Sequence, residues 1–331
     1  MRSSVRVLRA PASSESPDDG RAHGRDGRLP GLVLGGLGVL GFSFTLPATR
    51  VAVAQLGGPF VGLGRALVAA GLAAAVLLVR RERPPARRHW GSLAIVVLGV
   101  VIGFPLFSAL ALRWVSAAHS AVIVGLLPAA TAGMAVLRAG ERPTLGFWLA
   151  GVVGLIAVLG FAATQGAGRP QPADALVLMA VALGGLGYAE GGALARELGG
   201  WRVICWALIL AAPLVAPVVV VLAARSGLAA GPGAWLGFAY VSVVSMFLGF
   251  FAWYQGLALG GIARVSQLQL AQPVLTIAWA ALLLHESVGP GTVLAALFVL
   301  ASVAASQRTR VGRATVPLPS GPSAASVATE D

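Results

Sequence analysis

The chain has 331 residues, of which 57% are hydrophobic and 11% charged, and its mean hydropathy is +0.84. Soluble domains carry roughly 25% charged residues, so this composition excludes a soluble globular protein and indicates a polytopic membrane protein. The net charge of +12 comes from arginine alone. The arginines lie in tails and loops and form no continuous basic stripe of the kind that binds nucleic acid. A single cysteine, Cys205, excludes a disulfide framework and a cysteine-based metal site.

Ten apolar segments follow a polar amino-terminal stretch. Residues 1–29 are rich in Arg, Ser, Asp and Gly and predict a disordered cytoplasmic tail. Each later segment is close to the roughly 20 residues that span a bilayer. The predicted spans are 31–49, 60–79, 91–112, 117–138, 145–163, 174–195, 202–223, 234–256, 262–283 and 289–305. Residues 307–331, rich in Ser, Pro and Ala, predict a second disordered cytoplasmic tail.

The distribution of arginine predicts which ends of the spans face the cytoplasm. If the amino terminus is cytoplasmic, nineteen arginines lie in cytoplasmic segments and five on the opposite side. The strongest contribution comes from the loop between the second and third spans, which reads RRERPPARR. Because cytoplasmic loops of membrane proteins are enriched in Arg and Lys, we expect a cytoplasmic-membrane protein with both termini in the cytoplasm.

The chain contains an internal repeat, which is the feature that fixes the fold most directly. Residues 110–141 align with 255–286 at an offset of 145, and 37–50 align with 183–196 at an offset of 146. The coinciding landmarks are Pro128 with Pro273, Leu112 with Leu257, Ala118 with Ala263, Glu141 with Glu286 and Gly146 with Gly291. We therefore predict two related halves, residues 30–165 and 172–306. The two glutamates stand at span boundaries, and their repetition predicts a role in the fold, such as capping, rather than in coupling.

An odd number of spans in each half would place the halves in opposite orientations across the membrane. Inverted repeats are typical of secondary transporters, whose substrate site lies near the membrane midplane where the repeats meet. The predicted fold class is therefore an all-α polytopic membrane protein with ten transmembrane helices in two inverted five-helix repeats.

One pattern occurs once in each half: a turn of small residues, a helix with an early proline, and a boundary glutamate followed by a glycine. It resembles the EamA family of the drug/metabolite transporter superfamily over about residues 31–305, and Arg65 matches an arginine common in that family. The resemblance implies a ten-helix fold with a central cavity. It also implies export or exchange of small metabolites or drugs, usually coupled to protons.

Glu190 is the leading candidate for a coupling residue. It lies midway along the sixth predicted span, within GGLGYAEGGALARE. A carboxyl group inside the hydrocarbon is costly, which points to function, and a buried carboxyl is suited to taking up a proton. The alternatives are a hydrogen bond between helices, or a carboxylate that reaches the cytoplasmic end near Arg196.

The ninth predicted span carries a polar stripe. At 100° per residue, Gln269, Gln272 and Thr276 fall on one helix face, and Pro273 is expected to free the carbonyl oxygen of Gln269. Lipid cannot satisfy such groups, so the stripe either lines a cavity or joins two helices. Amides without a nearby charge suit polar or zwitterionic solutes better than strongly anionic ones.

Four further residues complete the candidate substrate site. Arg65 is suited either to recognising a carboxylate or to pairing with Glu190. Tyr188, Trp253 and Tyr254 are suited to stacking against a substrate in the cavity.

The sequence carries no HExxH motif and no P-loop, so we expect neither an enzyme nor an ATP-driven pump, and neither a cofactor nor a bound metal. The predicted function is secondary active transport by alternating access. The chain would act as an exporter or proton-coupled exchanger of small organic metabolites or drugs. The alternative is a non-transporting membrane scaffold or receptor. The expected partners are a small-molecule solute and the lipid bilayer, with protons as coupling ion and a homodimer both left open.

Overall fold

The structure is a computed structural model that describes residues 28–139, 171–226, 228–260 and 265–308, together with parts of 145–160. The predicted tails, residues 1–29 and 307–331, lie almost wholly outside the described residues, and so does Glu141. The described secondary structure is helical throughout and contains no strand. The prediction of an all-helical polytopic membrane protein is confirmed for this part of the chain.

Seven of the described helices are long and apolar enough to cross a membrane. They are α1 (Leu29–Leu56), α2 (Gly58–Val79), α3 (Arg87–Ala111), α4 (Ala117–Leu137), α5 (Pro172–Leu198), α6 (Gly200–Arg225) and α7 (Pro232–Gly260). Two shorter apolar helices follow, α8 (Ala271–Leu284) and α9 (Pro290–Arg308). These nine described helices match nine of the ten predicted spans. The remaining predicted span, 145–163, falls where the structure describes the chain only in part.

The repeat is visible in backbone features that hydropathy does not encode. A π-helical segment interrupts α3 at Val97–Gly103, and another interrupts α7 at Tyr240–Leu248, so the two overlap when the chain is shifted by 145 residues. The chain turns from α1 to α2 at Gly57 and from α5 to α6 at Gly199, with φ of 79° and 87°. Positive φ favours glycine because a Cβ atom would be strained there. The two halves therefore share their irregularities as well as their spans.

The most extensive helix packing joins one half to the other. Helix α1 packs on α7, α2 on α6, and both α3 and α4 on α5. Helices α1 and α7 approach at glycines: a Cβ added to Gly256 would lie 2.6 Å from the backbone nitrogen of Gly35. Small residues let membrane helices come close enough for backbone contact, which gives tight van der Waals packing where water provides no driving force. The interior of the bundle is thus the interface between the two halves.

Candidate functional site: a closed cavity between the two halves

A small cavity lies where the two halves meet, and we call it the closed cavity because all but one of the residues that line it are buried. Its free volume is about 20 Å³, which is room for about one water molecule. The residues that line it come from six helices: Phe42, Thr45, Leu46, Arg65, Val100, Phe104, Tyr188, Ser245, Phe250 and Gln272. An organic solute would fit only after the helices around the cavity had moved apart.

The aromatic wall of the cavity is built from equivalent positions of the repeat. Tyr188 follows Phe42 by 146 residues, and Phe250 follows Phe104 by the same number. The rings of Phe42 and Tyr188 are stacked, with centroids 6.2 Å apart and an interplanar angle of 28°. Phe250 packs against both rings, with its centroid 5.0 Å from that of Phe42 and 5.9 Å from that of Tyr188. The cavity therefore lies between the parts of the two halves that correspond to each other.

The polar groups of the cavity are one cation and several neutral groups. Arg65 is 2% exposed, and its Nε has no hydrogen-bond partner among the described residues. None of the salt bridges in the described part of the chain involves it. The hydroxyls of Thr45 and Ser245 lie 2.8 Å apart and join α1 to α7, and the Gln272 amide completes the set. The cavity combines a buried positive charge with neutral donors and acceptors.

Three of the predicted site residues, Arg65, Tyr188 and Gln272, come together in this cavity wall. Glu190 lies two residues beyond Tyr188 in α5 and is 7% exposed, but it is not among the residues that line the cavity. Its role in coupling stays a prediction.

The polar stripe of the ninth predicted span is buried but does not act as one surface. Gln269 is 2% exposed, and its amide nitrogen and oxygen have no partner among the described residues. Thr276 instead donates to the carbonyl oxygen of Ser43 at 2.7 Å and so joins α8 to α1. Residues Ser266–Leu270 form a 3₁₀-helix, so the rotation of 100° per residue does not hold before α8 begins. Pro273 consequently lies in the first turn of α8, not in a helix interior where it would free a carbonyl group.

Trp253 and Tyr254 are fully buried behind the cavity wall and do not line it. The Tyr254 hydroxyl donates to the carbonyl oxygen of Gly187 at 3.2 Å, and the Trp253 ring lies 5.8 Å from that of Tyr188. In this conformation the two residues support the wall instead of presenting a stacking face.

Sequence reasoning missed Phe42, Thr45 and Ser245. Phe42 had a usable signal, since the repeat places it opposite Tyr188, which was singled out for its ring.

At one end of the bundle, the two halves are joined by capping and by a buried polar pair. The carboxylate of Glu286 accepts hydrogen bonds from the backbone N–H groups of Ala117 and Ala118, at 3.0 and 2.9 Å. These groups begin α4 and have no acceptor within the helix, and a negative charge there also interacts favourably with the helix dipole. Nearby on the same helix, His119 Nε2 lies 2.6 Å from Asp174 Oδ1. The fold role expected of Glu286 is thus a cap on a helix of the other half.

At the opposite end, which carries the arginine-rich loop, charged side chains join the halves. Arg202 at the start of α6 donates to Glu82 at 2.7 Å. Glu197 near the end of α5 lies 3.1 Å from His89 and 3.7 Å from Arg88. Side-chain contacts between the halves are therefore present at both ends of the bundle.

Most of the chain matches the model of a transporter family, and most of it is covered by a similar protein and by a solved structure. The model of the EamA-like transporter family matches residues 29–163 and again residues 171–306. The uncharacterized transporter YdeK of Bacillus subtilis (strain 168) is 48% identical over 278 residues, which cover 84% of this chain and 97% of that protein. A solved crystal structure shares the fold with a TM-score of 0.57 at 17% identity, covering 84% of this chain and 96% of the other. The two family matches fall on the two halves, and the chain belongs to the EamA-like transporter family.

Proposed function

We propose that this protein is a secondary transporter that moves small organic solutes across the cytoplasmic membrane by alternating access. The observation that carries the proposal is the closed cavity between the halves, with contacts joining the halves at both ends. Breaking the Glu286 and Asp174 contacts would open one side, and breaking those of Glu82 and Glu197 would open the other. A site that is reached from each side in turn is what alternating access requires.

The contact between Glu286 and α4 supports an inverted relation of two five-helix halves. Helices α4 and α8 occupy equivalent positions in the repeat. The start of α4, at Ala117, meets Glu286, the second residue after the end of α8, so the two helices run in opposite directions. Equivalent helices that run antiparallel are expected when the halves are inverted. With the partly described span at 145–163, this gives the ten-helix topology that we propose.

The proposal also includes the orientation of the chain in the membrane and the coupling of transport to protons. The arginine-rich loop at residues 80–88 supports an orientation in which that end of the bundle and both termini face the cytoplasm. We assign proton coupling to Glu190, because it is a buried carboxyl two residues from the cavity-lining Tyr188. The described lining of the cavity comes from a single chain.

Metabolite profiling tests the function directly. Cells that overproduce the chain are compared with cells that produce Glu190→Gln and with cells that carry an empty vector, measuring solutes in both medium and cytoplasm. We expect a small set of solutes to move in opposite directions in the two compartments with the natural chain. Dissipating the proton gradient and the Glu190→Gln change should each abolish that shift. A folded, membrane-inserted chain that shifts no solute would favour the scaffold or receptor alternative instead.

A further inference from the structure

Arg65 stands out because it is a cation in the interior of a membrane protein. It belongs to the spanning helix α2, is 2% exposed and faces the closed cavity. Its Nε lacks a hydrogen-bond partner among the described residues, and no carboxylate of that part of the chain forms a salt bridge with it. Charged groups inside a membrane are costly and are retained where they pair or bind something. The partner missing from this site is an anion.

We propose that Arg65 binds the carboxylate group of the transported solute. This inference rests on the proposed transport function and names the chemical class of its substrate. The planar guanidinium group of arginine matches a carboxylate with two parallel hydrogen bonds. The carboxylate of the bound solute would be the counter-ion of the buried Arg65 guanidinium group.

The charge balance of the cavity selects a monoanion. Among the described residues that line it, Arg65 is the only charged one, and the other polar groups are the hydroxyls of Thr45, Ser245 and Tyr188 and the amide of Gln272. A carboxylate would bring the net charge of the closed site to zero. A phosphate monoester carries between one and two negative charges, and the excess would be buried without a counter-ion. A solute with only a positive charge would be repelled by Arg65.

The other residues that line the cavity indicate which chemical groups the rest of the solute carries. Phe42, Phe104 and Phe250 offer apolar faces, whereas Thr45 and Ser245 already share one hydrogen bond with each other. The site therefore suits a small organic acid with an apolar body and few further polar groups. This revises the expectation of a polar or zwitterionic solute, which assumed that no charge lies near Gln272.

Replacing Arg65 with methionine tests whether this residue binds the solute or stabilises the fold. A methionine side chain fills a similar volume without a charge, so Arg65→Met should raise the melting temperature of the empty protein by roughly 2–4 °C. If Arg65 instead stabilised the fold, Arg65→Met would lower the melting temperature. Arg113→Met is the matched control, because Arg113 is exposed in the loop after α3. Arg65→Lys keeps the charge but loses the planar fork and should keep part of the activity.

Two readouts decide the proposal. In metabolite profiling, we expect the solutes moved by the natural chain to carry a carboxylate. Their movement should be lost in Arg65→Met and kept in Arg113→Met. With purified protein, we expect phenylacetate and benzoate to raise the melting temperature, phenylacetamide and benzamide to leave it unchanged, and Arg65→Met to respond to none of them.

These experiments distinguish a wrong carboxylate assignment from a wrong transport function. The carboxylate assignment would be overturned, with the transport function still supported, if the transported solutes lacked an acid group or if acids and amides stabilised the protein equally. It would also be overturned if Arg65→Met melted at a lower temperature than the natural chain or transported normally. A natural chain that is folded but moves no solute would overturn the proposed function and this inference together.

Discussion

Phe42 and Tyr188 occupy equivalent positions in the two halves, and their rings stack on each other across the interface between them. Residues related by an approximate twofold axis meet only if they lie close to that axis. If the two halves are inverted as proposed above, the stacked pair marks where the axis that relates them passes, and Phe42 and Tyr188 both line the closed cavity. The equivalence is imperfect in two ways that matter for function. Only Tyr188 carries a hydroxyl, and the position equivalent to Arg65 at the same offset is Ala211.

Exchanging the two aromatic residues tests whether this asymmetry is functional. The double variant Phe42→Tyr with Tyr188→Phe keeps both rings and the total volume. A hydroxyl buried without a partner at position 42 costs about 1–3 kcal/mol, so we expect a loss of stability no larger than that. Transport should nevertheless fall to the level of Tyr188→Phe alone, because the hydroxyl has moved to the other half. Melting curves and solute profiles of the three proteins measure both effects. Full activity in the double variant would mean that the hydroxyl serves either half equally.

The sequence predicted the halves and most of the spans because hydropathy, proline and boundary glutamates all follow one offset. It also identified Arg65, Tyr188 and Gln272, whose polar groups are conspicuous in apolar helices. It could not identify Thr45 or Ser245, since single hydroxyls are common in membrane helices and their pairing depends on how α1 crosses α7. The π-helical segments were equally hidden, because their backbone geometry leaves no mark on hydropathy. Trp253 and Tyr254 were expected at the cavity surface but pack one layer behind it, which only the rotation of α7 decides.

Gly256 should not tolerate a larger residue. An added Cβ would lie 2.6 Å from the backbone of Gly35 in α1, and backbone cannot move aside without separating the helices. Overpacking of this kind costs typically about 1–3 kcal/mol, so Gly256→Ala should lower the melting temperature. Gly36→Ala is the control, because a Cβ at Gly36 meets nothing within 4 Å. Equal melting temperatures for the two variants would show that α1 and α7 are not in close backbone contact.

The Glu286 cap predicts a graded loss of stability. Glu286→Ala leaves the N–H groups of Ala117 and Ala118 without their acceptors and removes a favourable charge from the start of α4. Hydrogen bonds to charged groups contribute about 1.5–3 kcal/mol, so the melting temperature should fall clearly. Glu286→Gln keeps one acceptor oxygen without the charge and should fall between the natural chain and Glu286→Ala. An alanine variant as stable as the natural chain would mean that water replaces the carboxylate at no cost.

The pair of Glu82 and Arg202 predicts a pH dependence at the opposite end. The hydrogen bond from Arg202 lowers the pKa of the Glu82 carboxyl below its ordinary value. A carboxyl whose pKa is lower in the folded state adds stability above its unfolded pKa, and that stability is lost as the pH falls through the folded value. Glu82→Gln should therefore melt below the natural chain at pH 7. The difference should begin to shrink below about pH 4.3, the ordinary pKa of a glutamate, and vanish once the pH has fallen through the lower folded value. High salt should shrink it at pH 7, because the pair is partly exposed and screened. A difference that is unchanged in acid would show that Glu82 acts through packing and not through its charge. Arg83→Gln removes a neighbouring charge of the opposite sign and controls for a general effect of neutralising a side chain in this loop.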